Sequence, residues 1–368
     1  MKVVFRVDAS LQMGTGHVMR CLTLADALTA GGASCEFIGR AHPGHLLDLI
    51  RNKGYIAHAL AVGAGVSGCT TASDEQSPVH SHWLGASQPE DAAACASILA
   101  ERQPDWLIVD HYALDFHWEQ ALKPYYRKLM VVDDLADRAH ACDLLLDQNF
   151  GRQDEHYRAW VPHDCKLLCG SKYALLRPEF AAQRPRSLQR RAKPQLRQLL
   201  ISMGGVDNDN ATGRVLNALR DSPLPGNCQI TVVMGPTAPW LSEIKQQALS
   251  MAWPTQVLVG VSDMARLMAD SDLAIGAAGA TSWERCVLGL PCILLCLAEN
   301  QKMVSEELSK QGAVITLSVH ALEKPGGRFL DDALKQAWRI APQMSESAAS
   351  VTDGSGCEKV FDYLMGTQ

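Results

Sequence analysis

The sequence lacks the patterns that mark disulfide-rich, zinc-binding or membrane-spanning proteins. Its 12 cysteines include no C-x-x-C pair, and Cys165/Cys169 and Cys292/Cys296 are four residues apart in apolar surroundings. We therefore expect buried free thiols rather than disulfides or a zinc site. No window approaches the roughly 18 apolar residues of a membrane span. The start of the chain, MKVVFRVDAS, becomes charged too early for a secretory signal.

Positive charge is also scarce. The net charge is -6 and neither half of the chain is basic, so nucleic acid is not an expected partner. No set of metal ligands stands out, which predicts a metal-independent protein with no cofactor. A cytoplasmic monomer without membrane insertion is the expectation.

Two α/β domains are predicted, because 368 residues exceed one typical core and short apolar runs alternate with helix-like segments in both halves. Residues 181–195 are basic, polar and contain two prolines, which predicts a linker. The predicted domains are residues 1–180 and 196–345, with a cleft between them and a C-terminal helix at 346–368. Residues 61–88, rich in small residues, are predicted to be an inserted loop.

Polar side chains follow several predicted strands at their carboxyl ends. In parallel sheets these ends lie along one edge, where ligands bind. Each residue alone is more simply explained as a helix cap or turn former, whereas the group favours a lined cleft. The residues are Asp8, Asp110, His111, Asp133, Asp134 and Asn149.

Three glycine-containing turns each join a predicted strand to a predicted helix. Glycine lets the backbone approach a ligand, and the following helix offers free N–H groups and a positive dipole end. A diphosphate suits such turns, although none matches a P-loop or a full G-x-G-x-x-G fingerprint. Tight turns without a ligand are the alternative. The turns contain Gly14 and Gly16, Gly204 and Gly205, and Gly276 and Gly279.

Two further segments combine capping with possible ligand contact. Thr281-Ser282-Trp283-Glu284 has the spacing of a capping box, which predicts that a helix starts there. Glu284 is also placed to accept hydrogen bonds from a ribose diol. Asn300 and Gln301 start another predicted helix after a strand, where their amides can reach a ligand, and capping is the alternative for Asn300.

His17 is the first candidate for catalysis. Gly14 and Gly16 open its loop, and it lies where the first helix begins, so the positive dipole end disfavours the imidazolium form. A neutral ring suits a general base. Asp8, at the end of the first strand, is predicted to orient the ring or the water. A structural histidine is the alternative reading, and the rival candidates are His42, His45 and His111.

Specific motifs run through nearly the whole chain. They are RVDASLQMGTGHVMR (6–20), DHYALDFHWE (110–119), DDLADRAHACDLLLDQN (133–149), YALLRPEF (173–180), ISMGGVDNDN (201–210) and GAAGATSWERCVLGLP (276–291). Together they resemble the PseG family of nucleotide-sugar hydrolases, which act in pseudaminic acid biosynthesis for flagellin glycosylation and cell-surface polysaccharide. The resemblance implies a GT-B fold, similar to MurG, with two Rossmann-like domains and a central cleft.

The resemblance also implies an activity and positions for its residues. The reaction is hydrolysis of UDP-2,4-diacetamido-2,4,6-trideoxy-β-L-altropyranose to UDP and the free sugar, with UDP held by the second domain. His17 matches the catalytic base of the family. The other matched positions are Gly204 and Gly205 at the phosphate-facing loop, Ser282 and Glu284 at the nucleotide-side turn, and Asn300 and Gln301 near the ligand.

The same resemblance, joined to the position of His17, predicts a mechanism. Neutral His17 deprotonates a water that attacks the anomeric carbon with inversion, while helix N-termini and backbone N–H groups hold the departing UDP. UDP is a good leaving group, so the acid of ordinary glycosidases is not required. Candidates for reading the acetamido groups are Asp110, His111, Tyr112 and Asn149. The alternatives are a GT-B glycosyltransferase with a UDP-sugar donor and a non-catalytic sugar-nucleotide binding module.

Overall fold

The computed structural model describes residues 1–63, 78–220, 222, 224–323 and 329–366. The chain divides into two compact units, Met1–Leu175 with Cys357–Gln368, and Leu176–Gly356. The middle of the predicted insertion, residues 64–77, lies outside the described residues. The end of that predicted loop is regular structure, because a short 3-10 helix forms at Ser81–Trp83.

Unit 1 is built on a parallel sheet with helices on both faces. Its described strands lie in the order β3-β2-β1-β4-β5-β6-β7. They are β1 (Lys2–Val7), β2 (Ser34–Arg40), β3 (Ile56–Leu60), β4 (Trp106–Asp110), β5 (Lys128–Val132), β6 (Leu144–Asp147) and β7 (Lys166–Cys169). The helices are α1 (Gly16–Ala30), α2 (Leu47–Asn52), α3 (Gln88–Arg102) and α4 (Phe116–Leu122).

Side-chain alternation along the central strand β1 separates two cores. Val3, Phe5 and Val7 pack on the face that α1 covers, where Phe5 stacks on Phe37 with ring centroids 4.8 Å apart. Val4 packs into the core on the opposite face. The period of two therefore sends even-numbered side chains of β1 away from α1.

Unit 2 repeats this architecture with one strand fewer among the described residues. Its strands lie in the order β10-β9-β8-β11-β12-β13 and are all parallel. They are β8 (Gln198–Ser202), β9 (Gln229–Met234), β10 (Thr255–Val259), β11 (Leu273–Ala277), β12 (Cys292–Cys296) and β13 (Val314–Ser318). The helices are α5 (Pro178–Arg191), α6 (Ala211–Leu219), α7 (Leu241–Leu249), α8 (Met264–Asp270), α9 (Thr281–Val287), α10 (Lys302–Lys310), α11 (Phe329–Arg339) and α12 (Ala341–Val351).

The prediction of a linker over residues 181–195 is wrong, because most of this segment lies in α5. Some of its polar side chains point inward and donate to backbone carbonyls of unit 2, whereas Arg186 and Arg190 are exposed. Arg184 donates to the carbonyls of Val287 (2.6 Å) and Ala349 (2.8 Å), and the Ser187 hydroxyl donates to Leu288 O (2.7 Å). The segment is therefore packed against unit 2 rather than fully solvated.

The predicted single helix at 346–368 is also wrong. The chain forms α12 and then a separate helix, α13 (Gly356–Met365), with a break at residues 352–355. Cys357, Val360 and Leu364 of α13 belong to the α1-side core of unit 1. The end of the chain therefore returns to the first unit.

Two composition-based expectations concern thiols and membrane spans. The 11 described cysteines are all free, and all except the half-buried Cys296 are buried. Cys69 lies outside the described residues. Within the part of the chain that the structure describes, no helix has both the length and the apolar character to cross a bilayer.

Candidate active site

His17 lies on the first turn of α1, directly after the loop that leaves β1. Gly14, at φ +77°, shapes this loop, and its N–H donates to Ser10 O at 2.9 Å. Among the described residues no side chain caps the N-terminus of α1. The side chain of His17 keeps 11% of its surface exposed, so its ring is positioned by the protein yet remains reachable.

The His17 ring is oriented by Asp110, at the carboxyl end of β4. The Nδ1 atom lies 2.5 Å from Asp110 Oδ1. An ionised carboxylate only accepts hydrogen bonds, so Nδ1 carries the proton and donates it. In the neutral ring this leaves the lone pair on the other nitrogen, Nε2, which is the tautomer that a general base requires.

Arg20 holds the Asp110 carboxylate in place. Its Nε donates to Oδ2 at 2.6 Å and its Nη2 to Oδ1 at 2.7 Å, and the Cys21 thiol adds a contact at 3.5 Å. Burial alone raises the pKa of Asp110, but the charge of Arg20 and the hydrogen bonds from Arg20 and His17 outweigh it and hold that pKa well below its usual value. Because His17, Arg20 and Cys21 are three and four residues apart, they share one face of α1.

Asp8 does not contact the His17 ring, so the prediction that it orients this ring is wrong. Asp8 is fully buried and accepts from Arg6 Nη1 (2.6 Å) and from the Arg40 backbone N–H (2.6 Å). Side chains alternate between the two faces of the sheet along β1. The Asp8 side chain falls on the face away from α1, whereas Asp110 lies on the face that α1 covers. Burial raises the pKa of Asp8, yet Arg6 and the neighbouring histidines keep it well below its usual value.

The three rival histidines have structural contacts. His111 Nδ1 accepts from the Ala113 N–H at 3.1 Å, and its Nε2 lies 3.2 Å from Asp8 Oδ2. His42 Nε2 lies 3.7 Å from the same oxygen, and both rings are buried. His45 Nδ1 accepts from the Leu47 N–H at 3.4 Å. Burial lowers the pKa of His111, which keeps it a neutral packing group.

A second carboxylate, Asp134, lies beside the His17 pair. It accepts from Arg20 Nη1 (2.8 Å), the Tyr112 hydroxyl (2.8 Å) and Asn149 Nδ2 (3.3 Å). Arg20 thus links Asp110 to Asp134, and Asp134 contacts Tyr112 and Asn149. All of these except Arg20 were candidates from the sequence. The position of Arg20, three residues after His17 in the same motif, could have indicated its role.

In unit 2, the turn after β8 contains Gly204 and Gly205. Gly204 has φ +94°, a conformation that suits glycine. A Cβ on Gly235, in the turn after β9, would lie 1.9 Å from Gly205 O, so the two turns pack backbone to backbone. The N-terminus of α6 is already capped, because Asp207 accepts from two of its N–H groups (2.8 and 2.9 Å) and Asn210 from a third (3.0 Å). An anion at this edge would meet the glycine turn rather than α6.

The turn after β11 leads to α9, which begins at Thr281 with Ala280 as its N-cap. The predicted capping box is wrong, because the helix starts earlier and no described side chain caps it. The Thr281 and Ser282 hydroxyls instead accept from Arg285 at 3.2 and 3.1 Å. No heavy atom lies within 4 Å of a Cβ built on Gly279, so this turn is open.

Glu284 lies on the first turn of α9 with 19% of its side chain exposed. Its nearest cation is Arg177, whose Nη2 is 3.8 Å away. Burial raises the pKa of Glu284 to about 7 against the opposing charges of Arg177 and Arg285. Gln301 is engaged locally, because its Oε1 accepts from the Leu297 N–H at 3.0 Å. The side chain of Asn300 lies outside the described part of the chain.

Two cavities in the described part of the chain lie elsewhere. One of about 520 Å³ in unit 2 is lined by residues at the amino ends of strands, among them Gln198, Gln229 and Asp272. The other, about 390 Å³ in unit 1, includes Trp106 and Lys128, where β4 and β5 begin. Both are at the edge opposite to His17 and the glycine turns. Within the described residues no cluster of three or more His, Cys, Asp or Glu is arranged to hold a metal.

Comparisons with known proteins agree with this architecture. Residues 199–352 match the family model of the glycosyltransferase family 28 C-terminal domain. MurG of Acinetobacter baumannii is similar in structure with a TM-score of 0.68, at 15% identity over 99% of each chain. UDP-GlcNAc 2-epimerase from Neisseria meningitidis has a TM-score of 0.58, at 11% identity over all of both chains. The fold is GT-B.

One curated relative bears directly on the resemblance predicted from the motifs. The UDP-2,4-diacetamido-2,4,6-trideoxy-beta-L-altropyranose hydrolase of Campylobacter jejuni is 25% identical over 312 residues, which cover 85% of this chain and 97% of the relative. The predicted resemblance is confirmed. The spore coat polysaccharide biosynthesis protein SpsG of Bacillus subtilis is 27% identical over 213 residues, covering 58% of this chain and 62% of that protein.

Proposed function

We propose that this protein hydrolyses UDP-2,4-diacetamido-2,4,6-trideoxy-β-L-altropyranose to UDP and 2,4-diacetamido-2,4,6-trideoxy-L-altrose. The observation that carries the proposal is the 2.5 Å contact between His17 and Asp110. It fixes the tautomer whose Nε2 accepts a proton, on a ring that is partly exposed. The similarity to the C. jejuni hydrolase supports the substrate.

In this proposal His17 acts as the base. Its Nε2 removes a proton from water as the oxygen attacks the anomeric carbon from the side opposite the diphosphate, so the configuration inverts. The imidazolium that forms donates to Asp110, whose charge Arg20 keeps in position. A well-placed base of this kind contributes about 10²- to 10⁴-fold to the rate.

Unit 2 supplies the UDP site in this proposal. The glycine turns at Gly204, Gly205 and Gly279 allow backbone N–H groups to approach a diphosphate, and the first turn of α9 has no side-chain cap. Glu284 accepts hydrogen bonds from the ribose diol with an oxygen that no close cation occupies. Because N–H groups hold the leaving charge, the reaction needs neither a general acid nor a metal, and chelators are expected to leave the rate unchanged.

A glycosyltransferase is the second candidate, favoured by the match of residues 199–352 to a glycosyltransferase family 28 domain. The two functions differ only in the acceptor, which is water in one and a hydroxyl compound in the other. The fold does not separate them.

The deciding experiment incubates the purified protein with the UDP-sugar and no acceptor. Hydrolysis predicts equimolar UDP and free sugar, with His17→Ala losing turnover while still binding UDP. If the wild-type protein binds UDP yet releases no sugar until an acceptor is added, the hydrolase proposal fails and the transferase is supported. If neither condition yields turnover, the protein is a binding module.

A further inference from the structure

An aromatic group lies beside the His17 ring in unit 1. We call His80, Trp83 and Tyr112 the aromatic wall. The Tyr112 ring meets His17 edge-on with centroids 4.7 Å apart, and Trp83 stacks on Tyr112 at 5.7 Å. His80 lies 5.4 Å from Tyr112 and 4.4 Å from Trp83. These rings therefore form one continuous surface that ends at the proposed base.

The wall is anchored rather than loosely attached. Trp83 is the last residue of a 3-10 helix, and its backbone N–H donates to His80 O at 2.9 Å. The next residue, Leu84, is buried in the core. Gln12 Nε2 lies 3.1 Å from His82 Nε2, which ties this segment to the loop that leads to His17. The wall and the catalytic loop thus hold a fixed relation.

The wall offers ring faces rather than polar groups. The Tyr112 hydroxyl is already used by Asp134 at 2.8 Å. Burial lowers the pKa of His80, which favours its neutral ring. Trp83 and His80 are half-buried, so part of each ring remains exposed. Aromatic rings that are partly exposed beside a reactive group favour packing against apolar parts of a ligand.

We propose that the aromatic wall is the sugar subsite and receives the methyl-bearing, apolar side of a 6-deoxy sugar. This rests on the proposed function. The wall adjoins the base, so the ligand part next to it is the one that carries the attacked carbon, namely the sugar and not the uridine. C6 of a 6-deoxy sugar is a methyl group, whereas in common hexoses it is a hydroxymethyl group. Ring faces favour the methyl because burying an unpaired hydroxyl costs free energy.

The test compares Trp83→Ala and Trp83→Phe with Trp160→Ala. Trp160 is a matched control, because it is a partly exposed tryptophan (36%) whose backbone contacts are to Tyr157 and His140. KM and kcat are measured for the 6-deoxy sugar nucleotide and for its 6-hydroxy analogue, and the Kd of UDP is measured by calorimetry. Circular dichroism checks folding, and His80→Ala replaces Trp83→Ala if the latter does not fold.

We expect Trp83→Ala to raise KM for the 6-deoxy substrate about tenfold and to erase most of the preference over the 6-hydroxy analogue. Trp83→Phe should retain most of that preference, and UDP affinity should be unchanged in every variant. An unaltered KM and preference in Trp83→Ala would overturn the proposal. An equal loss of affinity for UDP alone would also overturn it, because the wall would then contact the nucleotide.

Failure of the proposed function gives a different result. If wild-type protein releases no UDP from the sugar nucleotide, hydrolysis is ruled out whatever Trp83 does. The wall is then tested by calorimetric binding of the intact sugar nucleotide. A tenfold weaker Kd in Trp83→Ala with the 6-deoxy compound supports the subsite, and an unchanged Kd contradicts it.

Discussion

The two units share the strand order that places β1 and β8 at the same position in their sheets, yet their carboxyl edges differ in chemistry. In unit 1 this edge carries ionised side chains locked in pairs, such as Arg20 with Asp110 and Arg6 with Asp8. In unit 2 the turns after β8 and β11 carry glycines instead. Glu284, which follows the second of these turns, is 3.8 Å from its partner Arg177.

The two edges suit different tasks, namely proton transfer in unit 1 and diphosphate binding in unit 2. Paired charges fix one side chain, His17, in one tautomer and orientation, which suits proton transfer. Exposed backbone N–H groups suit a diphosphate, whose charge is spread over several oxygens. Substitutions of His17 and the groups that hold it in unit 1 should therefore change turnover, and substitutions in the glycine turns of unit 2 should change UDP affinity. Variants in both units can test that division, from the largest effect to the smallest.

Replacing His17 should have the largest effect. We expect His17→Ala to lower kcat about 10³-fold because the water loses its base, with the Kd of UDP unchanged. Steady-state kinetics and calorimetry measure the two quantities. His45→Ala is the control, since its ring makes a local contact to the Leu47 N–H. A comparable loss of UDP affinity in His17→Ala would break the division between the units.

Asp110 and Asp8 form a matched pair of buried carboxylates with opposite expected effects. Asp110→Asn should lower kcat about 10²-fold, because His17 and Arg20 would compete for the single acceptor oxygen of the amide and the negative charge that stabilises the imidazolium is lost. Turnover is measured per folded molecule, with folding checked by thermal melting.

Asp8→Asn should instead keep the turnover of folded protein and lower the free energy of unfolding by roughly 1–3 kcal/mol, because the buried Arg6 loses one of its two carboxylate partners and keeps only Asp91, at 2.7 Å. Denaturant unfolding measures this change. If Asp8→Asn reduced kcat as strongly as Asp110→Asn, our assignment of the two carboxylates would be incorrect.

These two residues also show what the sequence could predict. Both follow apolar strands, and both were candidates, but the choice between them depends on which sheet face α1 covers. The alternation of Val3, Phe5 and Val7 shows which residues of β1 share a face, but the sequence does not say which of the two faces α1 covers. Arg20 was missed because a basic residue on an early helix turn is usually solvent-exposed, whereas here it is buried against Asp110.

The fold was predictable where strands are continuously apolar. The continuously apolar runs of both halves form strands, among them β1, β4 and β8. Strands β3, β7 and β13 are harder to predict because they are short or half-exposed, as the burial of β3 (Ile56–Leu60) shows. The α5 segment was misassigned because Arg184 and Arg191 donate to backbone carbonyls of unit 2, and a polar composition does not reveal such packing.

A smaller effect is expected from Gly279 in unit 2. Gly279→Ala should weaken UDP binding about tenfold by placing a methyl group where the diphosphate approaches, with stability unchanged because the space is open. Gly226→Ala is the control, since its Cβ position is equally open. Calorimetry with UDP measures the effect, and unchanged affinity in Gly279→Ala would remove this turn from the nucleotide site.

The smallest effect concerns Glu284, whose pKa burial raises to about 7. The folded protein therefore binds a proton that the unfolded chain releases, and stability falls as pH rises from the usual carboxyl range toward 7. Glu284→Gln removes this penalty. The free energy of unfolding of Glu284→Gln minus that of wild type should therefore increase by roughly 1–2 kcal/mol from about pH 5 to about pH 8. A pH-independent difference would show that Glu284 is normally ionised.

The central claim is that a water activated by His17 attacks the anomeric carbon. Hydrolysis of the sugar nucleotide in ¹⁸O-labelled water, followed by mass spectrometry of both products, tests it directly. The account predicts one labelled oxygen in the released sugar and none in UDP. Label in UDP would place the attack at phosphorus and contradict the mechanism.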